Sequence, residues 1–166
     1  MRNICSFAIE KTYAVMSQSL SKLYIHATFH IKYTSVPIRK QEYEELYAYI
    51  GQVLKSLDCT PIQIGGVEDH IHILCIMSKN IALAKLMEDV KRHSSRWIKT
   101  KDKYYESFAW QGGYGCFSVS QSVVERTKKY IQNQEQHHHK TDFKEEYITF
   151  LKEYGVEYNE AYLFTD

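Results

Sequence analysis

The chain has 166 residues, 21 Lys+Arg against 20 Asp+Glu, 44% hydrophobic residues, seven glycines and two prolines. A chain of this length buries roughly two-thirds of its unfolded surface, so it needs no disulfide or structural-metal scaffold. The Pro and Gly counts exclude a low-complexity chain, and no apolar run reaches the roughly 20 residues of a membrane helix. Near-zero net charge argues against a protein coated in basic charge, and a local nucleic-acid patch is decided by how the charges are distributed.

Residues 1–21 show no clear period and end in SQSLS, which reads as a loosely held N-terminal extension, with Met16 a plausible alternative start. A single domain is expected over 22–166. Leu23–Tyr33 (LYIHATFHIKY) is aromatic and β-branched with partial alternation, a strand stopped by Pro37. Arg39–Leu57 places Tyr43, Leu46, Tyr47, Ile50, Val53, Leu54 and Leu57 at steps of three and four, the stripe of a first helix. Pro61–Val67 and His70–Met77 are two β-rich runs joined by a turn, hence a hairpin. Asn80 is placed to cap a second helix from Ile81 to about Trp97. WQGGYGCFSVS predicts a loop or a short irregular strand. Ser120 is placed to cap a third helix from Gln121 to about Gln136, and a fourth over Phe143–Tyr154 ends at Gly155. With a hairpin in the middle, the order fits an α+β protein, an antiparallel sheet covered by helices, rather than a doubly wound parallel fold.

Cys5, Cys59, Cys75 and Cys116 lie far apart, with no C-x-x-C pair and no leader pattern, and read as reduced thiols in a cytoplasm. Cys75, inside the apolar run IHILCIM, reads as a small buried hydrophobe.

His70 and His72 stand two apart in a predicted strand, so both rings leave one face roughly 6.5 Å apart. Two such imidazoles can share a metal, or can be hydrogen-bonded at a sheet end. Their apolar neighbours make them exceptions that require a reason. Tyr130 and Gln134 are four apart on the third helix, one turn and about 6 Å along its axis, so a nucleophile and an amide can point together. The competing reading is a tyrosine packed on the core side. Arg126, Lys128 and Lys129 form a basic turn before it, either a solvated face or a phosphate track. The run Lys91, Arg92, His93, Arg96, Lys99, Lys101, Lys103 is the strongest charge asymmetry and a candidate DNA track, the competing reading being a solvated helix face; Lys91, Arg92 and Arg96 are its leading members. The acidic C-terminal part, with Asp142, Glu145, Glu146, Glu153, Glu157 and Glu160, is expected to dock on the protein itself rather than face DNA.

Four blocks, GGVEDHIHIL, KRHSSRWIK, FAWQGGYGCFSVS and KKYIQNQEQHH, together resemble the single-tyrosine HUH transposases of bacterial insertion sequences, the IS200-like and REP-associated tyrosine transposases. The likeness runs from about Leu23 to Phe164, with the blocks in family order. It implies a ferredoxin-like fold and assigns His70 and His72 as ligands of a divalent ion, Gln134 as the third ligand and Tyr130 as the nucleophile. The implied reaction cleaves and rejoins single-stranded DNA with hairpin ends through a 5′-phosphotyrosine, with Mg²⁺ or Mn²⁺ and no nucleotide cofactor. A homodimer that shares its tyrosine helix is implied too. Rolling-circle initiators often carry two tyrosines a turn apart; here Arg126 and Gln134 flank Tyr130 at that spacing, leaving one nucleophile. The alternative from another class is a non-catalytic ferredoxin-like module binding single-stranded nucleic acid through sheet aromatics.

Overall fold

In β1 (Leu23–His30) and β3 (His70–Met77) side chains alternate between two faces. Ile25, Ala27, Phe29, Ile71, Ile73 and Cys75 share one face and the main core. Tyr24, His26, Thr28, His30, His70, His72 and Leu74 take the other, and all of them are buried. The computed structural model describes residues 19–138 and 142–165. Most of the expected N-terminal extension, with Cys5 and Met16, lies outside the described residues.

With β2 (Thr60–Gly66) and β4 (Gly115–Val119) the strands form one sheet in the order β2-β3-β1-β4, every pair antiparallel. Helices α1 (Tyr43–Ser56) and α2 (Leu83–Lys99) cross between strands and cover the apolar face with Leu46, Ile50, Leu54, Leu86, Met87 and Val90. This is the ferredoxin-like α+β arrangement expected from the sequence. The opposite face meets α3 (Val124–Gln132) and α5 (Phe143–Glu153), separated by the short α4 (Gln134–His138). A smaller core of Tyr24, Leu74, Val119, Val124 and Ile131 seats α3 there. A short α6 (Glu160–Leu163) follows. Among the described residues no helix is long and apolar enough to cross a membrane.

Several local expectations are corrected. Asn80 does not cap the second helix: its backbone N–H donates to Ser78 Oγ at 3.2 Å, and α2 starts at Leu83 behind Ala82, which makes no side-chain cap bond. Ser120 likewise caps nothing, because its hydroxyl meets Ser122 Oγ at 2.9 Å and a 3-10 turn over Gln121–Val123 intervenes. The expected third helix is interrupted at Asn133, whose N–H is shared between the carbonyls of Lys129 (3.1 Å) and Tyr130 (3.3 Å). The glycine-rich segment yields a regular edge strand, β4, with Cys116 and Phe117 paired to Ala27 and His26. By contrast α5 is capped as sequence chemistry asks. Asp142 accepts from the Glu145 N–H at 2.8 Å, and Gly155 takes a φ of +61° just past the end. Trp110 is a core anchor, its indole N–H donating to Ser94 Oγ at 2.9 Å.

The β2–β3 turn depends on the missing side chain of Gly66, where a Cβ would lie 2.1 Å from the His70 carbonyl oxygen. Backbone cannot yield as a flexible side chain does. Gly66→Ala is therefore expected to destabilise the fold by about 1–3 kcal/mol, as overpacking does, measured by urea denaturation.

Candidate active site on the sheet face

His70 and His72 come to one spot because a strand repeats its side-chain direction every second residue. Their ring centroids are 4.9 Å apart and both side chains are fully buried. An apolar sheet face would exclude such rings unless each nitrogen found a partner. His70 Nδ1 lies 2.7 Å from Asp69 Oδ1, so its N–H donates to that carboxylate. His72 Nδ1 lies 3.0 Å from His26 Nε2 of the neighbouring strand β1. The two Nε2 atoms turn the other way, toward α4 and α5.

Two side chains meet them there. Gln134 Oε1 is 3.3 Å from His70 Nε2, and the Gln134 amide N–H donates to Glu146 Oε1 at 3.0 Å. Glu146 Oε2 is 3.5 Å from His70 Nε2 and 3.3 Å from His72 Nε2. Gln134 and Glu146 are 1% and 5% exposed, so the cluster is shielded from water. Burial pushes the Glu146 carboxyl up to about 7, against the pull of His70 and His26. Burial, and then His72, hold the His26 imidazole down at about 3, so it is neutral.

The donor chemistry fits a divalent cation. In the tautomer that commits its Nδ1 proton to Asp69, His70 turns an Nε2 lone pair toward Gln134 Oε1, an oxygen that can only accept, and toward the Glu146 carboxyl group. A positive charge between them resolves that clash. The ligating atoms of His70, His72 and Glu146 lie within 4.8 Å of one another, and Gln134 adds a carbonyl oxygen. Such a mixed imidazole, carboxylate and amide set suits Mn²⁺ or Mg²⁺ better than a thiolate-seeking metal.

Tyr130, on α3, closes the cluster on one side. Its ring stands edge-on, with centroids 5.7 Å from His72, 6.2 Å from His26 and 5.8 Å from Phe150. Beside it a cavity of about 500 Å³ is lined by His26, Arg126, Tyr130, Glu146, Phe150 and Tyr154. The four residues singled out by sequence spacing, His70, His72, Tyr130 and Gln134, are thus brought together within one chain.

Glu146 is the member that sequence reading passed over. In the sequence it stands only as part of an acidic segment expected to dock on the protein. It does dock, and its carboxylate is the part that enters the cluster. The available signal was Phe143, Glu146 and Phe150 at steps of three and four, a carboxylate inside an otherwise apolar stripe.

The basic residues divide. Lys91 and Arg92 belong to α2, on the sheet layer opposite the cluster. The Lys91 ammonium donates to the carbonyls of Gln111, Gly112 (2.9 Å) and Gly113 (2.9 Å), tying down the glycine loop. Arg92 pairs with Asp89, and with Glu88 at 3.4 Å. Arg96 is exposed without an ion pair among the described residues. On α3, Arg126 and Lys129 are exposed and Lys128 half-buried, and Arg126 lines the cavity beside Tyr130.

Tyr130 and the buried cluster of His70, His72, Gln134 and Glu146 thus meet on one face of a ferredoxin-like sheet. Residues 19–134 match the model of the family described as "Transposase IS200 like", and the chain belongs to that family. Two solved structures share the fold. One is a protein from Deinococcus radiodurans R1 provisionally named a transposase, with TM-score 0.56 and 17% identity over 72% of this chain and 95% of that one. The other is a REP-associated tyrosine transposase bound to a REP hairpin, with TM-score 0.54 and 12% identity over 74% of each chain. No curated protein matches the sequence significantly.

Lys91→Met is expected to cost about 1–3 kcal/mol of stability, because three carbonyls lose a charged donor. Denaturant midpoints of the two proteins measure it.

Proposed function

We propose that the protein is a DNA-strand transferase in which Tyr130 attacks a phosphodiester of single-stranded DNA, with a divalent ion held by His70, His72, Gln134 and Glu146. The observation that carries this reading is the convergence of the Tyr130 ring with the buried His/His/Gln/Glu cluster inside one chain. Mg²⁺ or Mn²⁺ bound there would act as a Lewis acid on a non-bridging phosphate oxygen.

The rest of the chemistry belongs to the chain's own groups. The phenol of Tyr130 must lose its proton before it attacks. Its oxygen then bonds to phosphorus while the bond to the 3′ oxygen breaks, leaving a 5′-phosphotyrosine and, after protonation, a free 3′-OH. The covalent bond retains the energy of the phosphodiester, so attack by a 3′-OH rejoins a strand and releases tyrosine. Arg126, one turn before Tyr130, borders the cavity and is the cation best placed for the incoming phosphate, with Lys128 and Lys129 beside it. Lys91 and Arg92 are already paired within the protein, which leaves Arg96 and Lys99 as the exposed cations of α2 without an ion pair among the described residues.

The solved relative that holds a REP hairpin supports a substrate whose single strand adjoins a hairpin. A homodimer sharing its tyrosine helix is the arrangement implied by resemblance. The contact of Tyr130 with His72 in one chain favours a site complete in cis, so cleavage is proposed to need no residue of a second copy.

Incubation with the single-stranded ends of the flanking genomic DNA and Mn²⁺, followed by denaturing electrophoresis, is expected to trap a covalent complex. Tyr130→Phe should fold, bind DNA and give no complex. His70→Ala and His72→Ala should abolish it and Gln134→Ala weaken it less. A complex formed at wild-type level by Tyr130→Phe, or undiminished in EDTA, contradicts the mechanism.

A second expectation concerns the DNA track. Replacing Arg126 and Lys129 by Ala should reduce the slope of log K against log salt by up to about 1.4, at about 0.7 for each phosphate contact on a single strand. Lys91→Ala should leave that slope unchanged.

A further inference from the structure

His26 is a polar ring with no part in the reaction described above. It stands on β1, where Thr28 is the direct partner of His72 and Leu74 the direct partner of His26. His26 and His72 are therefore diagonal neighbours on one face, a separation that long or aromatic side chains span. The span is closed by the 3.0 Å contact between His26 Nε2 and His72 Nδ1, with the ring centroids 5.1 Å apart. Both rings are buried, His26 at 3% and His72 at 0% exposure, so water does not compete for the contact.

A single hydrogen lies between the two nitrogens, and its owner decides what His72 can do. If His26 donates, a neutral His72 carries its proton on Nε2 and cannot ligate through that atom. If His72 donates from Nδ1, its Nε2 lone pair faces Glu146 and the cluster. His70 has the same requirement, met by Asp69, a carboxylate that can only accept. Metal-bound histidines commonly donate their second ring N–H to such an outer partner, which fixes tautomer and ring orientation.

We propose that His26 is a positioning residue whose Nε2 accepts the Nδ1 proton of His72 and so holds His72 Nε2 toward the ion. The inference rests on the metal site put forward above. It assigns the two imidazoles unlike supports, a carboxylate in the adjoining turn for His70 and a neutral imidazole from the next strand for His72.

Reach separates this role from general packing. A Gln at position 26 can carry an acceptor oxygen to about the place of Nε2, an Asn is one carbon short, and a Phe keeps the ring without any acceptor. Mn²⁺ titration calorimetry without DNA, alongside thermal unfolding, should show His26→Phe and His26→Asn binding about 10–100-fold more weakly than wild type, the usual loss when an outer partner is removed. His26→Gln should retain affinity within a few-fold. If the Phe variant fails to fold, the Asn and Gln pair decides, since both are polar and differ in reach. Wild-type affinity in His26→Asn, or equal losses in the Asn and Gln variants, overturns the positioning role. Absence of Mn²⁺ binding by the wild type, or undiminished binding by His70→Ala and His72→Ala, overturns the metal site itself.

Discussion

The structure turns on the burial of ionisable side chains against one face of a four-stranded sheet. His70, His72, Gln134 and Glu146 are withdrawn from water, where each unpartnered polar atom would be costly. Their stability depends on mutual contacts: an amide donating to a carboxylate, imidazoles held from behind by Asp69 and His26, and an inner ring of atoms rich in lone pairs. The apolar face beneath α1 and α2 supplies the core that makes such a polar layer tolerable. The fold thereby separates stability, carried by one face, from chemistry, carried by the other.

That division explains the arrangement of elements over the reactive face. Helix α3 carries Tyr130, the proposed nucleophile, α4 the amide, β3 the two imidazoles and α5 the carboxylate. The break at Asn133 lies between Tyr130 and Gln134, yet Gln134 still reaches His70. Aromatic rings at Phe143 and Phe150 pack against His70 and His26 and shield the cluster on the α5 side. In such a dry pocket an ion–phosphate interaction is stronger than in water, which suits a reaction that stabilises charge on a transferring phosphoryl group.

Much of this was legible in the chain because its signals are local. Alternation in LYIHATFHIKY and HIHILCIM puts the histidines on one face, and the interval from Tyr130 to Gln134 is a helical turn. Three of the strands and the main covering helices follow from the same periodicities, whereas β4 lay in a glycine-rich segment whose pattern suggested a loop or a short irregular strand. What stayed hidden depends on distance in sequence. His26 reaches His72 only through the β1–β3 register, Glu146 enters only when α5 docks, and Lys91 finds carbonyls about twenty residues away. Charge runs are read as solvated by default, and here the first two cations of the run are bound internally. The caps failed at Asn80 and Ser120 for a related reason, since nearby hydroxyls offered those residues other partners.

In the proposed mechanism, side chains from β3, α4 and α5 converge on one divalent ion beside Tyr130. Anomalous diffraction from crystals of the protein grown with Mn²⁺ tests it directly. One strong peak is expected, enclosed by His70 Nε2, His72 Nε2, Gln134 Oε1 and the Glu146 carboxylate. A peak elsewhere with this cluster empty, or one bound only by exposed carboxylates, would contradict it.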